Sequence, residues 1–194
     1  MDSHRLSPKG LARREEILET AMRELAASGY GGTTVRAIAR AMGLEPAHIL
    51  YYFGTREALL EALVDRWDAR PVARLGDTSA PLTALDRYAD AIRANLTIPG
   101  IVHLYLAFAA EAAERSHRSH EYFRRRFDAV HAQLGDAIRA EQRAGRIAPG
   151  VDADAAAREL IALADGMQLQ ALVDPRVDAP AAIEAAVARL RGSG

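Results

Sequence analysis

Apolar residues along this chain recur at intervals of three and four, and the pattern stops at glycines and prolines, as it does in a series of amphipathic helices. Leu11, Ile17, Leu18, Ala21, Met22 and Leu25 predict a first helix over about residues 9–28, ended by Gly29 and preceded by a short arm without periodicity. Leu60, Leu63, Val64 and Trp67 predict another over residues 56–70, which Pro71 ends or kinks. Residues 75–81 read as a loop. Leu82, Leu85, Ala89, Ile92 and Leu96 form the stripe of a helix over 82–96. Residues 101–113 (IVHLYLAFAAEAA) are apolar nearly all round, as in a helix buried among neighbours. A long helix over 119–144 carries the seam Phe123, Phe127, Val130, Leu134 and Ile138. After the Pro149-Gly150 break, Asp152 or Asp154 caps a helix that reaches Val173, and Asp174-Pro175 separates it from a final helix over 180–191. No stretch alternates as a strand would. The expectation is an all-α chain of about nine helices.

The remaining helices fall in residues 33–57, TTVRAIARAMGLEPAHILYYFGTRE. Thr33 and Thr34 are both candidate N-caps, since a hydroxyl there accepts from the free amides of a first turn. Val35, Ile38, Ala39 and Met42 follow at helical spacing and leave Arg36 and Arg40 on the open face. Gly43 suits the left-handed residue that ends a helix, and Pro46 suits the first turn of the next. That second helix is brief, closed by Gly54; Thr55 then caps the connecting helix, with Glu57 complementing its dipole. A short helix, a glycine-containing turn and a second short helix make a helix-turn-helix, whose second helix enters the DNA major groove. Pro46, Ala47 and His48 stand at the N-terminal end of that helix, where base edges are met, and only His48 of the three has a side-chain donor or acceptor.

At these residues the chain resembles the TetR (AcrR-like) family of bacterial transcriptional regulators. The resemblance rests on Gly29, Thr34-Val35, Ile38-Ala39, Ala41, Gly43-Leu44, the run Ile49 to Phe53, and Thr55-Arg56-Glu57 with Leu59. Glu45, Leu50 and Arg56 stand where the family commonly has Ser, Tyr and Lys. The resemblance implies an N-terminal DNA-binding domain over residues 1–55 and a ligand-binding and dimerisation domain over 56–194. It makes Thr34, Tyr51, Tyr52, Thr55 and Arg56 contacts to the DNA backbone, with Arg36 reading either phosphate or base. Lys9 and Arg13 sit where backbone-contacting side chains begin in the family; plain solubility explains them equally well.

The segment ALADGMQLQALVDP (residues 162–175) resembles the C-terminal domain of AcrR-like and BetI-type members. The resemblance implies that the last two helices pair with their twins in a homodimer. Leu160, Leu163, Met167 and Ala171 on one helix, with Ile183, Val187 and Leu190 on the other, form a face able to do so; the alternative is a face of the subunit's own core. Trp67, His103, Tyr105, Phe108, Phe127, His131, Met167 and Gln168 are a mixed polar and aromatic set on the core helices. Each by itself is explained by a satisfied core; the family resemblance implies that some line a cavity for a small-molecule effector.

Composition narrows the chemistry. The chain has 194 residues and no cysteine, which excludes disulfides and thiolate metal sites. No Gly-rich phosphate loop or nucleophile elbow occurs, so no catalytic residue and no cofactor are expected. His117 and His120, near Glu114 and Glu121, are the most metal-like group, but they fall in a polar turn between helices, and no metal is expected there. No apolar run reaches about 18 residues and no signal pattern opens the chain, which predicts a soluble, cytoplasmic protein without a membrane partner. The net charge of -1 would argue against nucleic acid, yet residues 1–56 hold 8 Lys and Arg against 6 Asp and Glu, and residues 57–194 hold 17 against 20. That asymmetry permits a DNA-binding end. Two functions compete: a dimeric regulator released from double-stranded operator DNA by a small molecule, and an enzyme or carrier on an all-α scaffold. The capped helices and basic residues of the first 60 positions favour the regulator, most simply a repressor, with activation open.

Overall fold

The computed structural model describes residues 7–69 and 83–192. Among them are nine α-helices and no strand: α1 (Pro8–Gly32), α2 (Val35–Ala41), α3 (Pro46–Phe53), α4 (Arg56–Asp68), α5 (Ala84–Leu96), α6 (Ile101–Glu111), α7 (His120–Arg143), α8 (Ala153–Val173) and α9 (Ala179–Gly192). The expected all-α class is therefore observed. Most of the expected N-terminal arm, the Pro71 break, Leu82 and the loop at 75–81 lie outside the described residues. The helices gather into two compact units, one of α1–α4 with α6, the other of α5 with α7–α9.

In the first unit α1 packs against α2, α3, α4 and α6. It does so through Ile17, Leu18, Ala21 and Leu25, all buried. Leu11, expected on the same stripe, is 57% exposed, because the buried face of α1 begins only at Ile17. The chain breaks where expected: Gly29 has φ 68° and ψ -178°, a conformation almost confined to glycine, so the helix is interrupted before residue 30. Of the two candidate caps, Thr34 caps α2, its hydroxyl accepting from the Ala37 amide at 3.1 Å. The buried Thr33 hydroxyl instead donates to the Gly29 carbonyl at 2.8 Å. Arg66, near the end of α4, forms ion pairs with Glu15 and Glu19 of α1. α6 is apolar on most sides, but His103 is exposed, and the helix ends at Glu111, short of the expected residue 113.

The second unit is built from longer helices. Leu85, Leu134, Ile138, Ala157, Leu160 and Val187 belong to one buried cluster, and Ala89, Ile92, Ala164, Ala179 and Ile183 to another. Asp152, rather than Asp154, caps α8, accepting from the Asp154 and Ala155 amides at 3.0 and 3.1 Å. Three of the residues proposed for pairing with a second subunit, Leu160, Ile183 and Val187, are buried in the unit's own core. The stripe of apolar residues on α8 and α9 is thus partly intramolecular. Arg191 closes the unit. Its guanidinium donates to both carboxylate oxygens of Glu141 at 2.7 and 2.8 Å, to Asp86 at 2.9 Å and to the Thr83 hydroxyl at 2.9 Å. Among the described residues no single helix is long and apolar enough to cross a membrane.

Candidate nucleic-acid interface

α2 and α3 are short because their ends are defined locally. After α2 the chain turns through Gly43, in the left-handed conformation, and the Leu44 amide returns to the Ala39 carbonyl at 2.8 Å. Glu45 precedes α3 with no side-chain cap bond, so its carboxylate is left exposed. Within α3 only Ile49 and Phe53 are buried, which ties one face to the core and leaves Ala47, His48, Leu50 and Tyr51 exposed. Tyr51 is 69% exposed and meets Tyr52 edge-on, with ring centroids 5.1 Å apart. Arg36 and Arg40 are exposed on α2. Thr55 caps α4 by accepting from the Ala58 amide at 3.1 Å.

The basic candidates divide. Lys9 is exposed, whereas Arg13 pairs with Glu16 at 2.7 Å. Arg14, not among the sequence candidates, lays its guanidinium over the Phe53 ring, 4.7 Å from its centroid, and braces the end of α3 from α1. Arg56 is also held: its Nη2 donates to the Tyr30 hydroxyl at 3.3 Å, and its Nη1 lies 3.9 Å from Glu111. Tyr30 in turn donates to Glu111 at 2.8 Å. Burial first, and the Glu111 carboxylate after it, push the Tyr30 hydroxyl above the usual phenol range against the pull of Arg56, so it stays protonated. Tyr30 and Glu111 were missed because 81 positions separate them and neither belongs to a local motif.

The effector candidates divide evenly between the units. In the first, Trp67 and Tyr105 are buried and their rings meet at 5.6 Å, while Phe108 is buried with His117 edge-on at 6.0 Å. His103 is the exception: it is exposed and faces Tyr30 at 6.0 Å. In the second unit Phe127 lies 6.4 Å from Phe123, Met167 packs on the cluster of Ala164 and Ile183, and His131 Nε2 is 2.9 Å from the Asp154 carbonyl. Gln168 is buried; its Nε2 donates to the Ala164 carbonyl at 3.2 Å, and its Oε1 is without a partner. His117 and His120 do not form a metal site: His117 lies before α7, its Nδ1 accepting from the Ser119 amide at 3.2 Å. No group of His, Asp and Glu among the described residues is arranged to hold a metal.

This arrangement has a counterpart in known proteins. Residues 17–63 match the model of the bacterial regulatory proteins of the tetR family, and residues 81–192 match that of the C-terminal region of BetI-type transcriptional repressors. The chain belongs to the TetR family. It is a transcriptional regulator whose N-terminal region carries the family's helix-turn-helix DNA-binding motif; the family and its relatives here are regulators, not enzymes. It is 31% identical over 185 residues to the HTH-type transcriptional regulator BetI of Rhizobium meliloti, covering 91% of this chain and 84% of the relative. Its fold matches that of a Saccharomonospora viridis transcriptional regulator in complex with choline, with TM-score 0.68, 24% identity and coverage of 92% and 95% of the two chains. It also matches BioQ with its double-stranded DNA operator, with TM-score 0.61, 23% identity and coverage of 92% and 98%.

Proposed function

We propose that this TetR-family chain is a repressor that binds a near-palindromic operator as a homodimer in the cytoplasm and is released by a small, largely apolar ligand. The observation that carries the DNA half is the exposed face of α3, Ala47, His48, Leu50 and Tyr51, held outward by buried Ile49 and Phe53. His48 reads a base edge; Thr34, Tyr51, Tyr52, Thr55 and Arg56 hold phosphates and fix register. Selection of bound fragments from a random duplex pool tests this. The wild type returns two matching half-sites, and His48→Ala relaxes preference at one or two base pairs, by about 1–3 kcal/mol each. An unchanged selected sequence would remove His48 from the reading face.

In this reading dimerisation keeps Leu163, Met167, Ala171 and Leu190 from the face the sequence suggested and adds exposed residues of α8 to it. Leu169, Leu172 and Val173 of α8 are large apolar residues exposed in the single chain, Val173 at 81%. They, with the half-buried Leu163, Met167, Ala171 and Leu190, supply the surface for a second copy. Asp at Leu169 therefore yields a monomer in sedimentation, whereas Asp at the buried Val187 unfolds the unit instead.

The effector acts through α4, which presents Arg56 at its start and sets the Trp67 ring, tilted by 51°, against Tyr105 near its end. A tenfold release needs only about 1.4 kcal/mol of differential binding. A quaternary ammonium effector is a second reading, favoured by the buried Trp67 and Tyr105 rings, which suit a cation without N–H donors, and by the choline complex of the Saccharomonospora viridis protein. Trp67 is the only tryptophan, so its fluorescence distinguishes the two: choline quenches or shifts it in one case, an uncharged apolar isostere in the other.

A further inference from the structure

We propose that Glu111, at the C-terminal end of α6, competes with operator phosphate for Arg56, with Tyr30 holding the carboxylate in place for that exchange. The inference rests on the DNA-binding reading above and assigns α6 a direct hold on one of its phosphate contacts.

Three elements meet at this cluster. Arg56 is the first residue of α4, Tyr30 follows the break in α1, and Glu111 is the last residue of α6. The Tyr30 hydroxyl donates to Glu111 Oε1 at 2.8 Å and accepts from Arg56 Nη2 at 3.3 Å. The Arg56 guanidinium also stands 5.6 Å from the centre of the Tyr30 ring. Glu111 is therefore fixed by a short bond to tyrosine, not by its contact with arginine.

The contact with arginine is loose. Arg56 Nη1 and Glu111 Oε2 are 3.9 Å apart, against about 2.7–2.9 Å for a charge-assisted hydrogen bond. The two side chains are 38% and 45% exposed, so a phosphate oxygen can reach the guanidinium from solvent. An exposed pair of this kind contributes little by itself and is readily exchanged. Glu111 nevertheless needs a counter-charge, because an acidic residue at a helix C-terminus sits at the negative end of the dipole and the last turn of α6 holds no basic residue. Arg56 supplies that charge when no DNA is bound. When phosphate takes Arg56, Glu111 gives up its counter-charge, and that loss is set against the new phosphate contact. Tyr30 and Glu111 are thus positioning residues whose effect on DNA opposes that of Arg56.

The arrangement also makes α6 a direct sensor. The same helix carries Tyr105, whose ring meets Trp67 at the far end of α4. α4 is therefore touched by α6 at both ends, and a shift of α6 alters the Arg56 contact without needing any change in α3.

The test is binding of the full-length protein to its selected operator and to an unrelated duplex over a range of salt. Glu111→Gln, which keeps the side chain's size and its hydrogen bond to Tyr30 while removing the charge, tightens both duplexes about threefold at 0.1 M salt. It gains on both because phosphates carry no sequence information. It also steepens the salt dependence, since Arg56 then displaces a counterion that Glu111 had spared. In an Arg56→Ala background the gain disappears. Glu114→Gln removes the same charge from an exposed residue with no bond to Arg56, and serves as the control for bulk charge. Glu111→Gln that leaves binding unchanged or weakens it overturns the proposal. So does a gain that survives in the Arg56→Ala background, or one that Glu114→Gln matches. A wild-type protein that binds no duplex fails at the earlier step, before any variant is compared, and takes the DNA-binding reading with it.

Discussion

The two helical units differ in where their most consequential polar bonds lie. In the unit of α1–α4 and α6, most polar groups are satisfied over three or four residues: Thr34 and Thr55 cap the helices they begin, and Thr33 bonds back to Gly29. Others reach further, Tyr30 to Glu111 across 81 positions and Arg66 to Glu19 across 47, while Arg36, His48 and Tyr51 face solvent. In the unit of α5 and α7–α9, the main polar group is closed over long distances. Arg191 is joined to Glu141 across 50 positions, to Asp86 across 105 and to Thr83 across 108. A surface that must bind something else has to leave donors and acceptors free, so its helices are stabilised from within the motif. A unit that only has to hold together can bring its charges onto each other.

That contrast predicts unequal sensitivity. Arg191→Ala leaves the Glu141 carboxylate, which is 2% exposed, with the longer ion-pair contact to Arg146 at 3.5 Å. Breaking one side of such a pair costs about 3 kcal/mol, or roughly 6–12 °C in Tm for a chain of this size. The loss depends on pH with a definite sign. Arg191's hydrogen bonds, against burial, hold the Glu141 carboxyl below the usual carboxylate range; at Asp86 burial pushes upward but Arg191 and Thr83 outweigh it. Groups whose folded pKa is depressed contribute stability above the unfolded value, about pH 4, and lose it as pH falls through the folded one. Wild-type and Arg191→Ala melting temperatures should therefore differ most near neutrality and converge in acid. A gap independent of pH would remove the clasp from the account of this unit.

The first unit also has a long-range packing requirement, and it sharpens the comparison. Gly100 has φ 79°, and a Cβ there would lie 2.8 Å from the Leu25 carbonyl oxygen and 2.9 Å from Leu25 Cγ. Gly100→Ala adds the cost of a positive φ to displacement of a buried leucine, about 2 kcal/mol in all, measured by denaturant titration. Thr34→Ala has the smallest effect, about 1 kcal/mol, because it removes a single cap. It should also loosen operator binding, since α2 supports α3. If Thr34→Ala lowered stability more than Arg191→Ala, the division into a locally and a distantly secured unit would be wrong.

The legible parts of the molecule are those encoded over a few residues. The helices of the described residues, the Gly29 break, the Gly43 turn and the Thr55 cap follow from spacing and residue type, because helix periodicity and capping are properties of adjacent positions. The exposed face of α3 was legible for the same reason: an eight-residue helix with Ile49 and Phe53 buried has one other side. Leu11 and His103 were misjudged because periodicity says which side of a helix is apolar but not how far along the helix its neighbours extend.

Sequence by itself thus determined the elements, their order and the family to which the DNA-reading motif belongs. Tertiary structure alone decided which apolar stripe is used inside the subunit, burying Leu160, Ile183 and Val187 while leaving Leu169 and Val173 outside. It alone joined Tyr30 to Glu111 and Arg191 to Glu141. The physical reason is the range of the interactions. A helix is specified by hydrogen bonds four residues apart, whereas the partner of a charge is whichever side chain packing brings within about 4 Å, and chain separation carries no record of that distance.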